Sequence, residues 1–392
     1  MRVLFFVEGF TDIRFVVGLS GICELTMAVP ARQYESSDLK RRVRESGARV
    51  EVHEIPGGRL AFQARSLRYL WRVAPRVDVI VSQEVLRGSL GATLVGALRG
   101  VPVVTYMGIA PLEYFRCRRE RGQIGPVAAW AGETAIRFLM TVNGRLATRC
   151  LAMGPYLRDV AAQYCPRSDI GLYYGVDTDR FCPADASERA ALRRRLDLPA
   201  DKFLILLSSR MSHEKDPETA LRAAALARRR GLDLLLLNLG GGHQEFVDLA
   251  TRLGLDDVRS WVQGRPAVHP MKELADYLRA ADALVQASLA EGLGFSPLEA
   301  LACQTPVVAT LVGGMAAHLG AYARLTPRRD AEAMTRAFLE IGADSEAARA
   351  QARAGREYVG REWSRERAFR DLERSLASVV AARRDAEARQ TT

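Results

Sequence analysis

Short apolar runs alternate with amphipathic helical stretches along a chain of 392 residues. Apolar runs separated by helical stretches predict parallel strands that are buried on both faces, because crossover helices cover both sides of such a sheet. The chain is too long for one ordinary core, so we expect two domains. The predicted strands lie at 2–8, 24–29, 50–55, 77–82, 101–107 and 149–153 in the first half, and at 203–208, 232–238, 258–262, 283–287 and 306–310 in the second.

The alternating pattern is interrupted near residues 173–184, which we interpret as the boundary between the domains. Open parallel sheets bind ligands at the carboxyl ends of their strands. We therefore expect two doubly wound domains that face each other across a cleft, with a donor in one and an acceptor in the other. The main helices are predicted at 12–20, 60–73, 90–98, 127–146, 217–229, 274–281, 332–341, 345–359 and 365–382.

Residues 290–300 are predicted to form a glycine-bearing loop and the start of a helix. Ser296 is the expected N-cap, Pro297 suits the first helical position, and Glu299 would complete an S-x-x-E capping box. Gly292 and Gly294 would let the loop backbone approach a ligand closely. A helix N-terminus behind such a loop favours binding of a phosphate group.

The net charge of the chain is +10, and residues 1–180 hold most of it, with 25 basic and 17 acidic side chains giving +8. An anionic membrane surface or a phosphorylated acceptor would explain this asymmetry, and so would a solvated arginine-rich surface. Nucleic acid is a weaker explanation, because no recognition motif accompanies the basic residues. The six cysteines are scattered without metal-ligand spacing, so no metal site is expected.

No apolar run approaches the ~18–20 residues of a membrane span. The first residues, Met1 to Glu8, reach a charge too soon for a signal peptide and predict a buried strand instead. We therefore expect a cytoplasmic protein, with peripheral contact to the inner face of the cell membrane as an option. The amphipathic stretch 127–146 is either ordinary core packing or the part that meets the membrane.

Four motifs in register resemble those of retaining glycosyltransferases of family 4, which have the GT-B fold. Glu291-Gly-Leu-Gly-Phe-Ser-Pro-Leu-Glu299 resembles the family's two-glutamate motif, and residues 300–310 resemble the stretch that follows it. Ser209-Arg210 and Lys215-Asp216-Pro217 resemble the family's arginine–lysine pair, and residues 175–183 resemble its hinge signature. The likeness covers about residues 175–315 and is weaker in the first half.

The resemblance implies a donor-binding Rossmann-like domain over 176–364 and an acceptor-binding Rossmann-like domain over 1–175, with the helix at 365–392 packing back on the latter. It implies catalytic roles for Glu291, Arg210 and Lys215, with the two cations stabilising the leaving diphosphate in place of a metal ion. Glu299 would accept hydrogen bonds from the ribose hydroxyls. The other implied donor-binding residues are Leu293, Gly294, Phe295, Ser296, Gly241 and, at the base, Arg265.

The first half departs from the family pattern near the expected sugar. Residues 105–108 lack the histidine that the family commonly has at the end of a strand, and Gly9 stands where the family often has a glycine pair. Tyr106 and Glu84 are alternative residues that could face the sugar or the acceptor. Tyr174 replaces the usual hinge asparagine, and Met315 follows Gly313-Gly314 where a glutamate is common.

These observations predict a retaining hexosyltransferase that uses a nucleotide diphosphate sugar and a carbohydrate or lipid-linked acceptor. The expected setting is cell-envelope polysaccharide, lipopolysaccharide or glycolipid synthesis, with no cofactor, no metal and no nucleic acid. Two alternatives stay open at this point. One is a nucleotide-sugar-binding protein without transferase activity, and the other is a nucleotide-sugar epimerase on the same fold.

Overall fold

The computed structural model describes residues 1–9, 11–36, 38–120, 122 and 124–391, which form two compact units. The first unit comprises Met1–Phe115, Ile124–Gly175 and Glu366–Thr392. The second comprises Val176–Arg365 together with Arg116–Gln123. Each unit is built around one parallel sheet, which confirms the predicted α/β class.

The sheet of the first unit has seven parallel strands in the order β3-β2-β1-β4-β5-β6-β7. The strand order reverses between β1 and β4, because β2 and β3 lie on one side of this pair and β5 to β7 on the other. The strands are β1 (Arg2–Phe6), β2 (Glu24–Pro30), β3 (Val50–Ile55), β4 (Val79–Ser82), β5 (Val103–Met107), β6 (Arg149–Ala152) and β7 (Ser168–Ile170).

The sheet of the second unit has six parallel strands in the order β10-β9-β8-β11-β12-β13. Its order reverses between β8 and β11. The strands are β8 (Phe203–Leu207), β9 (Leu234–Leu239), β10 (Val262–Arg265), β11 (Ala283–Gln286), β12 (Val307–Thr310) and β13 (Arg324–Thr326).

Helices alternate with these strands. In chain order they are α1 (Ile13–Ile22), α2 (Ala31–Ser36), α3 (Leu39–Ser46), α4 (Arg59–Val73), α5 (Arg87–Arg99), α6 (Pro111–Arg119), α7 (Pro126–Leu146), α8 (Pro155–Ala162), α9 (Ala186–Arg195), α10 (Pro217–Arg229), α11 (His243–Arg252), α12 (Leu274–Ala280), α13 (Phe295–Ala302), α14 (Gly313–His318), α15 (Ala331–Ala343), α16 (Ser345–Glu362) and α17 (Arg365–Thr391).

The central strands owe their apolar runs to complete burial. Every residue of β4, β5, β9, β11 and β12 is buried, as expected for strands covered on both faces. Phe15 of α1 stacks on Tyr173 with ring centroids 4.3 Å apart and packs edge-on against Tyr106 at 5.3 Å. In the second unit, Phe246, Trp261 and Phe338 fill the core around the sheet.

The strand predicted at 258–262 is wrong. Val258–Ser260 is a single 3₁₀ turn, and β10 begins only at Val262. The turn follows Asp257, whose φ is +48°, and it places the Trp261 indole to donate to the Asp256 carbonyl at 2.9 Å. The apolar residues here therefore cap the core instead of extending the sheet.

Two charged segments contain helices that the apolar pattern did not predict. Residues 36–49 include α3. The basic sequence at 115–121 predicts a loop, but the chain is helical there as far as Arg119. Arg121 lies outside the described residues. Both helices are rich in arginine, which has high helix propensity without giving an apolar stripe.

The last helix, α17, packs on the first unit. A Cβ placed on Gly18 of α1 would lie 1.8 Å from the ring of Phe369, so only glycine admits this ring. Arg149 donates to the Ser375 hydroxyl at 3.0 Å. Within the described part of the chain, no helix is both long and apolar enough to cross a membrane.

Candidate functional site

The predicted donor residues follow the two strands between which the second sheet reverses its order. Arg210 and Lys215 lie after the end of β8, and Glu291 and Glu299 lie after the end of β11. The carboxyl ends of two such strands flank the usual ligand crevice of an open α/β sheet. Topology therefore brings together residues that are far apart in the sequence.

Lys215 and Glu291 form an ion pair with 2.6 Å between Nζ and Oε2. Their side chains are 17% and 12% exposed, so water screens the pair only weakly. The same carboxylate oxygen accepts hydrogen bonds from Gln286 Nε2 at 3.1 Å and from Ser288 Oγ at 3.2 Å. Three donors thus fix one oxygen of Glu291, and the ammonium of Lys215 lies at the carboxyl ends of the strands.

Arg210 is held by a partner that the sequence analysis missed. Its Nη2 donates to Glu214 Oε1 at 2.6 Å, yet the arginine side chain is 66% exposed. Burial alone would raise the pKa of Glu214, but its own backbone amide and the charges of Arg210 and Lys215 lower it. Glu214 is thus an ionised anchor that orients an accessible guanidinium. The spacing of four residues between Arg210 and Glu214 was the sequence signal that could have predicted this ion pair.

Helix α13 begins two residues earlier than predicted, and the expected capping box is absent. Gly294 is the N-cap, with φ +92° and no side-chain cap hydrogen bond. Ser296 instead donates its hydroxyl to the Ser208 carbonyl at 3.2 Å, which ties the helix start to the end of β8. Phe295 is the first helical residue, so the positive end of the helix dipole lies at residues 294–296.

Glu299 lies inside α13 and is 2% exposed. Because Gly294 occupies the cap position, Glu299 does not serve a capping box, and the competing explanation for this carboxylate is removed. The ribose contact that the resemblance implies for Glu299 stays a prediction.

Helix α14 packs against the loop at 291–294 and supports it. The Gly314 amide donates to the Glu291 carbonyl at 3.0 Å, and a Cβ on Gly314 would lie 2.1 Å from the Gly292 carbonyl oxygen. His318 Nε2 lies 2.9 Å from the Leu293 carbonyl. Burial lowers the pKa of His318, so the ring is neutral at pH 7 and its Nε2–H donates to that carbonyl. Sequence reasoning missed these supports because they lie well beyond the loop in the sequence.

Gly241 and Arg265 lie on the β9 and β10 side of the unit. The Gly241 carbonyl accepts the Met211 amide at 2.7 Å, which joins this loop to the one that carries Arg210. Arg265 donates from Nη1 to the Leu196 carbonyl at 2.5 Å and from Nη2 to the Asp197 carbonyl at 2.8 Å. Its guanidinium thus caps the end of α9, and these bonds do not bring it to Lys215 and Glu291.

The predicted acceptor residues Gly9, Glu84 and Tyr106 lie in the first unit, where the sheet order reverses between β1 and β4. Gly9 and Glu84 line a cavity of about 520 Å³ and also a second one of about 320 Å³, and Tyr106 lines the second. Glu8 lies beside Glu84 and forms an ion pair with Arg87. The structure thus brings these three predicted residues to one region of the first unit, together with Glu8.

Among the residues that the structure describes, no group of three or more His, Cys, Asp or Glu side chains could hold a metal ion.

Residues 188–358 match the family described as Glycosyl transferases group 1. The D-inositol 3-phosphate glycosyltransferase 1 of Catenulispora acidiphila is 35% identical over 250 residues, which cover 61% of this chain and 57% of that protein. The chain spans less than two thirds of the length of such curated relatives.

Two solved structures resemble nearly the whole chain. Anabaena HepE in complex with UDP-glucose has a TM-score of 0.76 at 19% identity, over 96% of this chain and 100% of its own. The sucrose-phosphate synthase of Thermosynechococcus elongatus has a TM-score of 0.77 at 19% identity, over 97% and 99%. At these identities the likeness shows the fold alone, and it confirms the GT-B fold expected from the sequence.

Proposed function

We propose that the chain is a retaining, metal-independent glycosyltransferase that transfers a sugar from a nucleoside diphosphate donor. The observation that carries this proposal is the Lys215–Glu291 pair, 2.6 Å apart, on the loops after the two strands where the sheet order reverses. The match of residues 188–358 to group 1 glycosyl transferases supports it.

The charges suit departure of a nucleoside diphosphate. Negative charge grows on the diphosphate as the glycosidic bond breaks, and fixed cations stabilise that charge without reorganising. The Arg210 guanidinium is accessible, and the Lys215 ammonium can exchange its hydrogen bond to Glu291 for one to a phosphate oxygen. The positive end of α13 adds a third source of stabilisation. These groups would do the work that a divalent cation does in metal-dependent transfer.

The released carboxylate of Glu291 would then lie beside the donor sugar. There it can accept a hydrogen bond from a sugar hydroxyl or stabilise positive charge at the anomeric carbon. Glu299, which is buried one turn into α13, would accept hydrogen bonds from the ribose hydroxyls. Retention follows if the departing diphosphate takes the acceptor's proton on the face from which it leaves, since no protein nucleophile is then needed.

The donor and acceptor classes are suggested by the related proteins. HepE was crystallised with UDP-glucose, so UDP-sugars are the first donors to test. The name of the inositol-phosphate relatives makes a cyclitol the first acceptor to test, with and without phosphate. Envelope polysaccharide and glycolipid acceptors are the second class in this proposal.

Peripheral membrane contact is supported by an apolar stripe on α7. Val127, Trp130 and Phe138 are 78%, 71% and 65% exposed and lie within about 80° of one another on the helix. Exposed apolar side chains on one helix face suit the interfacial region of a bilayer, and the basic first half suits anionic lipid. Sedimentation with phosphatidylglycerol vesicles tests this contact, and equal binding by Trp130→Ser would argue against it.

Incubation with a panel of nucleotide sugars and acceptors in excess EDTA tests the main proposal. We expect nucleoside diphosphate release that depends on the acceptor, and NMR should show a product with the anomeric configuration of the donor. Binding without release from any donor would instead support a non-transferring binding protein. An inverted product, or dependence on an added divalent cation, would overturn retention or metal independence.

A further inference from the structure

Two carboxyl groups meet in the first unit at the start of α5. Glu8 follows β1 and Glu84 follows β4, and both approach Gly88, the second residue of α5. A Cβ on Gly88 would lie 1.7 Å from Glu84 Oε1 and 2.6 Å from Glu8 Oε2. Only glycine leaves room for both groups at this position.

The pair has one cation and one orphaned oxygen. Arg87 contacts Glu8, while the buried Oε2 of Glu8 has no hydrogen-bond partner among the described residues. Burial, followed by the charge of Glu8, raises the pKa of Glu84 to about 7, and the Gly88 amide and Arg87 oppose this shift. A proton shared between the two carboxyl groups would satisfy the orphaned oxygen.

A second unsatisfied group lines the same region. Tyr106 is 1% exposed, and its hydroxyl has no hydrogen-bond partner among the described residues. Tyr106 and Glu84 both line the cavity of about 320 Å³. Buried hydroxyl groups are normally hydrogen-bonded, so an unpaired one in a cavity wall suggests a missing ligand or water.

The polarity of this cavity indicates what it can hold. Within the described residues, Glu84 is the only charged side chain in its lining, and no lysine or arginine lines it. A phosphate group normally pairs with arginine, lysine or free helix-terminal amides. The lining also includes Leu86, the N-cap of α5, and Pro111, the first residue of α6, but the Gly88 amide of α5 bonds to Glu84 and proline has no amide hydrogen. A phosphate group would therefore meet the Glu84 carboxyl group, whereas sugar hydroxyls can donate to a carboxylate and accept from a phenol. The volume lies at the small end of the ~300–1,000 Å³ typical of ligand sites.

We propose that this cavity is the acceptor subsite and that Glu84 and Tyr106 hydrogen-bond the hydroxyl groups of an uncharged ring, such as a free sugar or cyclitol. The inference rests on the proposed function, since it names the acceptor class for that transfer. It also makes the larger cavity beside Arg32 and Arg87 a less suitable place for the reacting hydroxyl group, because Tyr106 does not line it.

The test compares myo-inositol and glucose with inositol phosphate and glucose 6-phosphate as acceptors, using nucleoside diphosphate release. We expect the uncharged rings to have kcat/KM at least 10-fold higher than their phosphorylated counterparts. Tyr106→Phe and Glu84→Gln should each raise the acceptor KM at least 5-fold, while the dissociation constant for the donor nucleotide stays within 2-fold. Tyr69→Phe, a buried tyrosine of the same unit outside this cavity, is the matched control.

Equal or better use of the phosphorylated rings would overturn the proposal, and so would unchanged acceptor KM values in both variants. If wild-type protein transfers to no acceptor, the proposed function fails separately, and the cavity is tested by saturation-transfer NMR on myo-inositol and glucose. Binding that is lost in Tyr106→Phe but kept in Tyr69→Phe would support the subsite. No binding to the wild type would overturn it.

Discussion

Replacement of Lys215 by methionine tests the pair on which the proposed function depends. Methionine keeps most of the length and apolar volume of the lysine stem but removes its charge. Lys215 donates to Glu291 at 2.6 Å with 17% of its side chain exposed, so the loss affects a weakly screened site. We expect Lys215→Met to impair transfer far more than it impairs folding.

The magnitude follows from the geometry. Loss of one preorganised group that stabilises transition-state charge costs roughly 10²–10³-fold in kcat, or about 2.7–4 kcal/mol. The same change leaves Glu291 with only the two neutral donors, Gln286 and Ser288. Hydrogen bonds to charged groups contribute about 1.5–3 kcal/mol, so the free energy of unfolding should fall by no more than that.

The assay is steady-state nucleoside diphosphate release at saturating donor, together with urea unfolding of the same samples. Lys272→Met, at an exposed lysine of the second unit, is the matched control and should retain wild-type kcat. A kcat within 3-fold of wild type for folded Lys215→Met would refute the role of this lysine. A large loss that merely parallels unfolding would refute the electrostatic explanation.

Three further changes test supports and charges in the two units. Gly314→Ala should weaken nucleoside diphosphate binding at least 10-fold by calorimetry, because its Cβ would lie 2.1 Å from the Gly292 carbonyl; wild-type affinity would contradict this. Asp282→Asn should cost about 3–5 kcal/mol in urea unfolding, because it leaves buried Arg193 without the carboxylate 2.5 Å away; a cost below about 1 kcal/mol would contradict that. The folded-state pKa of Glu84 is raised from 4.5 to about 7, so the wild type should lose stability as pH rises between these values, and Glu84→Gln should lack this loss. Thermal midpoints measured from pH 5 to 8 test this, and parallel midpoints for the two proteins would contradict it.

The sheets could be predicted because burial on both faces leaves a direct signal in the sequence. The apolar runs at 203–208 and 232–238 correspond to β8 and β9, and each lies in a sheet covered by helices. The prediction at 258–262 was wrong because apolar residues that close a core, such as Val258 and Trp261, give the same local signal as a strand. Apolar content thus predicts burial more reliably than it predicts extended backbone.

The start of α13 shows a second limit of local patterns. Ser296, Pro297 and Glu299 satisfy the spacing of a capping box, but Gly294 is the cap. Proline is tolerated here because amides in the first helical turn have no intrahelical partner in any case. The glycine in the left-handed region decides the boundary, and the Ser296 hydroxyl is used for a tertiary hydrogen bond that no local rule contains.

The supports of the site could not be predicted because they depend on distant contacts. Gly314 and His318 act on the loop at 291–294 only after α14 has packed beneath it. Likewise Glu8 and Glu84 meet only because β1 and β4 are neighbours in the sheet. A motif can indicate which residues carry chemistry, but the partner that fixes each charge depends on sheet order.

The two strand-order reversals differ in the sign of the charges that they bring together. In the second unit the loops after β8 and β11 pair Lys215 with Glu291, so an incoming diphosphate can replace the carboxylate as the partner of the lysine. In the first unit the loops after β1 and β4 bring two carboxyl groups together, where a diphosphate would be repelled and hydroxyl groups would be accepted. The same topological position thus supports opposite ligand preferences, and these charges support the proposed assignment of the donor to the second unit and of the acceptor to the first.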